Sequence, residues 1–224
     1  MLNLLLIYLI YLISCSTNLV LCSEGDKHYI YQSCLHHCQQ INCSTSSGLN
    51  SFHLKQSVFE QLTFWSCPDE CAYQCMWKTV NHMQKNEKRV AQFHGKWPFI
   101  RLFGIQEPAS TLFSIANFIS HYYYGFRVIR KRLQYRVHPL YNVWLCFSIV
   151  ALNAWIWSAI FHTRDKPFTE KMDYICAIEL LDFEPIAWII DAHSLWHFST
   201  IILPLLWYQF VIDDSNYLLG APYH

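Results

Sequence analysis

Apolar positions along this chain gather into four blocks that differ in length and flanks. Residues 1–22 are mostly apolar, with Leu4 to Ile13 as a short core and small residues around Cys22 and Ser23. This pattern predicts a secretory signal peptide over 1–22. An uncleaved signal anchor is the alternative, because no Lys or Arg precedes the core. Three later blocks, at about 106–126, 140–161 and 187–211, have the length of membrane spans. Residues 23–104 are polar and Cys-rich, with a helix expected around Glu70–Lys88 and a flexible Ser/Thr stretch from Ser44 to Ser51. Gly95-Lys96-Trp97-Pro98 then breaks the pattern and leads to the spans. The expected fold is therefore an all-α multi-pass membrane protein of about three transmembrane helices. A small Cys-rich N-terminal domain over 23–104 precedes the transmembrane domain over 105–224.

The charges orient these spans. Arg127, Arg130, Lys131, Arg132 and Arg136 follow the first block, which ends in the Tyr122-Tyr123-Tyr124 interfacial cluster, and they mark the cytosolic side. The second span then returns to the lumen and the third leaves it. This leaves the N-terminal domain lumenal and the C-terminus cytosolic. The connector 163–186 carries too many charges to span lipid. Composition agrees with this picture. The chain is 53% hydrophobic and 14% charged, whereas about a quarter of a soluble domain is charged. A net charge of zero gives no reason to expect nucleic acid as a partner.

Cys34, Cys38, Cys43, Cys67, Cys71 and Cys75 form an even set behind a signal-like segment, which predicts a disulfide framework in an oxidising compartment. The sequence does not choose among the pairings. A metal knuckle with His36 and His37 is the rival reading. Asn42-Cys43-Ser44 is a glycosylation sequon that fits a lumenal location, and a disulfide at Cys43 could block its use. Cys146 and Cys176 are expected to be unpaired.

Candidate chemistry sits where polar pairs interrupt the apolar blocks. Ser158 and His162 are four apart, as are His193 and His197, so on helices each pair shares a face. Ionisable groups in membrane-length segments are costly, which makes them functional candidates. The expected topology brings Ser158, His162, Asp173, His193 and His197 to one lumenal boundary. Catalytic zinc takes three protein ligands and keeps one position open. His193 and His197 make a two-ligand helix face, and His162 supplies the third imidazole. Asp173 is a candidate to accept a proton from water or to orient a histidine. Ser158 is a candidate oxyanion donor or a nucleophile paired with His162. The metal scheme is preferred, because serine chemistry alone leaves His193 and His197 unused. A lone His or Ser in a membrane helix is more often a structural hydrogen-bonding group, so the convergence carries this reading. Asp191 is either an orienting group or an interfacial charge. His121 and His138 are expected at the interface, and His36, His37 and His94 in solvent.

These residues lie in longer motifs. Asn153-Ala154-Trp155-Ile156-Trp157-Ser158, Phe161-His162-Thr163-Arg164-Asp165, Thr169-Glu170-Lys171-Met172-Asp173-Tyr174 and Asp191-Ala192-His193-Ser194-Leu195-Trp196-His197 resemble the post-GPI attachment to proteins factor 3 family. So do Gly95-Lys96-Trp97-Pro98-Phe99, Gln106-Glu107-Pro108-Ala109-Ser110 and the Cys-rich region. The family belongs to the CREST superfamily of membrane hydrolases, whose S-x-x-x-H, later Asp and H-x-x-x-H pattern is matched by Ser158, His162, Asp173, His193 and His197. The resemblance implies zinc at the three histidines. It also implies removal of the unsaturated sn-2 acyl chain from the phosphatidylinositol of GPI-anchored proteins, in the Golgi membrane or, in some lineages, the endoplasmic reticulum. GPI-anchored proteins and membrane lipids are the implied partners.

One departure stands out. The resemblance implies seven membrane helices, and this chain shows three after its signal. The family pattern breaks near Ala177-Ile178, where an even number of helices is expected to be missing. Splicing, a gene-model error and a true deletion are the candidate causes. All five motif residues survive, but walls that would enclose them do not. A truncated, catalytically impaired membrane glycoprotein acting as a binding or partner subunit is therefore the alternative to an enzyme. A ceramide-directed hydrolase is a third reading, against which the Cys-rich region and the Gln106–Ser110 motif argue.

Overall fold

The computed structural model describes residues 23–86, 88–133, 140–174 and 183–218, without the side chains of 171–174 and 218. The expected signal over 1–22, His138, Cys176 and the expected break at 177/178 lie outside the described residues. The chain divides into two compact units, Met1–Pro98 and Phe99–His224. Among the described residues both are helical, and paired backbone is confined to isolated bridges.

The first unit contains α1 (Glu24–Lys27), α2 (Tyr29–Cys38), a π-helical turn (Gln39–Cys43), α3 (Ser46–Lys55), α4 (Val58–Leu62) and α5 (Cys67–Lys85). α5 starts at Cys67, where Ser66 and Asp69 form a capping box and Pro68 occupies the first turn. Cys67, Cys71 and Cys75 are buried along one face of α5. They pair in antiparallel order as Cys43–Cys67, Cys38–Cys71 and Cys34–Cys75. Cys34 and Cys38 are one α-turn apart, but Cys43 follows five residues after Cys38. The i→i+5 pairing of the π turn keeps Cys43 on the face of the other two. All six cysteines are thus in disulfides, and the metal-knuckle reading fails because no thiolate is left to ligate. The stretch expected to be flexible, 44–51, instead enters helix α3, whose first turn is capped by Thr45 Oγ1 accepting from Gly48 N–H.

The second unit contains α6 (Pro108–Ser120), a π segment (His121–Val128), α7 (Ile129–Arg132), α8 (Tyr141–Thr163), α9 (Pro167–Tyr174), α10 (Ala192–Thr200) and α11 (Leu203–Leu218). Among the described residues, two stretches are long and apolar enough to cross a bilayer: Tyr141–Thr163 and the run Ala192–Tyr217. The expected 106–126 block corresponds to α6 and its π extension. The third block begins later than the expected 187. Ile186–Ile190 form a tight turn, with Ala187 and Trp188 at positive φ, and Asp191 starts the helix as its N-cap. Pro204 lacks the N–H that would bond the Thr200 carbonyl, and the helix is interrupted there between α10 and α11.

The unit is patterned for lipid. Along α6, Ser110, Thr111, Ser114 and Asn117 are buried while Leu112, Ile115 and Ile119 are exposed. Along α8, Ser148, Ser158 and His162 are buried while Val143, Ile149, Val150 and Ile156 are exposed. Polar groups turn inward, some bonding within their helix and some between helices, and aliphatic groups turn outward, a pattern that suits a bilayer. α6 packs against both α8 and α10 and so joins the two histidine-bearing helices.

Candidate functional site

The site is built on three helix ends. The last turn of α8 leaves carbonyls without intrahelical partners. The bend that enters α6 supplies donors: Gln106 N–H donates to Thr163 O and Glu107 N–H to His162 O, each at 3.0 Å. Gln106 Oε1 accepts from Asp165 N–H and from Arg164 Nη1, both at 3.2 Å. The end of α8 carrying His162 is thereby fixed to the start of α6. At α10, Asp191 Oδ1 accepts from Ser194 N–H at 2.8 Å and Ser194 Oγ accepts from Asp191 N–H at 2.9 Å. Asp191 is thus a reciprocal helix cap. Its carboxylate is committed to the backbone of the helix that carries His193 and His197 and orients the start of that helix.

Three imidazoles meet between these ends. His162 Nε2 lies 3.0 Å from His193 Nε2 and 3.1 Å from His197 Nε2, and the latter two are 2.8 Å apart. Tetrahedral zinc with nitrogen ligands at about 2.0–2.1 Å requires nitrogens roughly 3.3 Å from one another, close to this triangle. Neutral imidazole nitrogens cannot all satisfy one another in such a triangle, because each ring has a single N–H. A cation shared by their lone pairs does satisfy them, so the donor set fits zinc. His162 and His197 are buried and His193 is half-buried. Trp155 and Trp196 both pack edge-on against His197, with ring centroids at 5.3 and 5.1 Å. The proximity of Cys43, Cys67 and Cys71 is that of the disulfide ladder and offers no ligand.

Glu107 was not singled out from the sequence as a site residue. Its Oε2 lies 2.6 Å from His162 Nδ1, and both side chains are buried. The only trace in the sequence was the Gln106–Ser110 motif, which does not reveal a contact across 55 positions. Ser158, one turn before His162, is buried and its Oγ lies 3.1 Å from Ser114 Oγ. Ser114 Oγ donates to Ser110 O at 2.7 Å, so the Ser158 hydroxyl is the donor to Ser114. Asn117 Nδ2 donates to His197 O at 2.7 Å and Ser120 Oγ to Ile201 O at 3.0 Å, tying α6 to α10. Asp173 lies in α9, which packs on α8, and its side chain is outside the described residues.

A second polar cluster lies further along the bundle. His121, on the π segment, places its Nδ1 3.2 Å from the Tyr208 hydroxyl. Gly125 leaves room for that hydroxyl: a Cβ there would collide with Tyr208 and lie 2.8 Å from Ser148 Oγ.

Comparison with known proteins adds a relationship to this geometry. The model of the Per1-like family matches residues 57–179 and, in a second piece, 175–215. "GPI-specific phospholipase A2-like PGAP3" of Danio rerio is 32% identical, covering 89% of this chain and 92% of the relative. Its counterpart in Homo sapiens is 30% identical, covering 88% and 91%. "Post-GPI attachment to proteins factor 3" of Drosophila melanogaster is 33% identical, covering 85% and 89%. The alignment with the Danio rerio protein runs over 300 positions, more than the 224 residues of this chain, so part of that relative has no counterpart here. No solved structure matches.

Proposed function

This chain belongs to the Per1-like family, and from that premise we propose that it is a membrane hydrolase that remodels the lipid of GPI-anchored proteins. The reaction is hydrolysis of the unsaturated sn-2 acyl ester of the GPI phosphatidylinositol. The observation that carries this reading is the convergence of His162, His193 and His197 on one point between helices patterned for lipid. The three Nε2 atoms are the ligands offered to zinc. Zinc bound there supplies a Lewis acid for the ester carbonyl and lowers the pKa of a bound water to about 7.

The protein's own groups take the remaining roles. Ser158 holds a hydroxyl one turn from His162, and release from Ser114 would let it donate to the developing oxyanion. Asp173 is assigned the proton-accepting role. Trp155 and Trp196 cover His197 with apolar surface and keep water from that side. The topology proposed from the charges completes the picture: three spans, with the Cys-rich unit and the histidines facing the lumen of the Golgi or, alternatively, the endoplasmic reticulum. The test is zinc content of the purified protein together with acyl release from a GPI-anchored substrate. Near-stoichiometric zinc is expected, with both zinc and activity lost in His193→Ala and His197→Ala. Zinc-free protein, or unchanged acyl release in both variants, refutes the proposal.

A second reading has its own support. The family model matches in two pieces that meet at 175–179, as expected if an internal segment is missing near 177/178. Such a chain would keep the ligands and lose walls that exclude water. It would then act as a binding subunit for GPI-anchored proteins or for longer relatives. Complementation of cells lacking the enzyme separates the two: rescue by wild type but not by Ser158→Ala favours hydrolysis, and rescue by both favours binding.

A further inference from the structure

We infer that Glu107 is the positioning residue of the histidine cluster: its carboxylate holds the His162 ring so that Nε2 faces His193 and His197 with its lone pair free. The inference rests on the zinc reading above. A carboxylate only accepts hydrogen bonds, so the proton in the 2.6 Å contact lies on His162 Nδ1. Nε2 is then left as the ligand atom, and it is the atom that lies 3.0 and 3.1 Å from the other two imidazoles. Carboxylates placed behind metal-bound imidazoles fix the ring and raise its basicity.

The position of Glu107 is itself tightly set. Its own N–H donates to the carbonyl of His162, so one residue grips the histidine by backbone and by side chain. It is the N-cap of α6, with Pro108 immediately after it and Thr111 N–H bonded to its carbonyl at 3.0 Å. His197 differs: its Nδ1 has no hydrogen-bond partner among the described residues, and tryptophan rings flank it instead. His162, on α8 across from the pair on α10, is thus oriented by a carboxylate, whereas His197 is not.

The competing explanation is that Glu107 only staples α6 to α8. Zinc affinity of the purified full-length protein, read by competition with a chromophoric chelator, distinguishes the two when melting of the metal-free protein is followed in parallel. Glu107→Gln and Glu107→Ala are expected to weaken zinc binding by about 10–100-fold, with the metal-free melting temperature of Glu107→Gln close to wild type. If Glu107→Ala does not fold, the nearly isosteric Glu107→Gln decides. Zinc affinity within about threefold of wild type in the folded variants, with or without a lower melting temperature, overturns the inference and leaves the zinc reading standing. A wild type that binds no zinc overturns both.

Discussion

His162 Nε2 and His193 Nε2 lie 3.0 Å apart, although 31 positions separate the residues and they belong to different helices. The junction depends on α6, which packs on both α8 and α10. His162 is held through Glu107 at the start of α6, and the backbone of His197 through Asn117 further along it. The cluster is therefore a property of three helices, and changes at residues other than the three histidines should disturb it.

Asn117→Leu tests that dependence. The substitution removes a 2.7 Å bond to the His197 carbonyl and a 3.0 Å bond to the Phe113 carbonyl. A loss of about 1–2 kcal/mol of stability is expected, with weaker zinc binding as α10 shifts. Unchanged melting in detergent and unchanged zinc affinity would show that α6 does not hold α10 in place.

Asp191 separates a cap from a ligand. Asp191→Ala should cost about 1 kcal/mol through loss of the N-cap, whereas Asp191→Asn, an equally good cap, should be near neutral. Zinc affinity should follow the same order. Loss of zinc in Asp191→Asn would instead assign the carboxylate to the metal.

Gly125→Ala introduces a methyl group against Tyr208 and Ser148. Overpacking of this kind costs about 1–3 kcal/mol, and the π segment has no slack in the buried contact between Gly125 and Tyr208. A lower melting temperature is expected. A variant as stable as wild type would show that the close approach of these elements is not needed.

The disulfide ladder makes a chemical prediction. Proteolysis without reduction, followed by mass spectrometry, should recover peptides linked as Cys34–Cys75, Cys38–Cys71 and Cys43–Cys67. Replacing Cys34 and Cys75 together by Ser should lower the stability of the N-terminal unit by about 2–4 kcal/mol, since the unfolded chain loses one of its three cross-links. Any other pairing contradicts the antiparallel arrangement of α2 and α5.

Much of this site could be read from spacing. Ser158 with His162, and His193 with His197, are four apart, and helical geometry alone puts each pair on one face. The apolar lengths of 140–161 and 187–211 predicted helices, found as Tyr141–Thr163 and the run from Ala192. The Cys67, Cys71 and Cys75 stripe was likewise a local matter of periodicity. The helix expected at Glu70–Lys88 proved to be Cys67–Lys85, because the Ser66–Asp69 cap sets its start.

The remaining features needed the tertiary structure, because they join residues with no local relationship. Which cysteines pair depends on two helices running antiparallel, and on a π turn that corrects a five-residue spacing which α-helical periodicity would place off the face. Asp191 stands beside two candidate ligands in sequence, yet backbone geometry at the start of α10 claims its carboxylate. Glu107 stands far from them in sequence, yet the docking of α6 on α8 places it behind His162. Periodicity, set by the backbone of a single helix, determined which side chains share a face. Only the packing of one helix on another, which has no signature in local spacing, decided which faces meet.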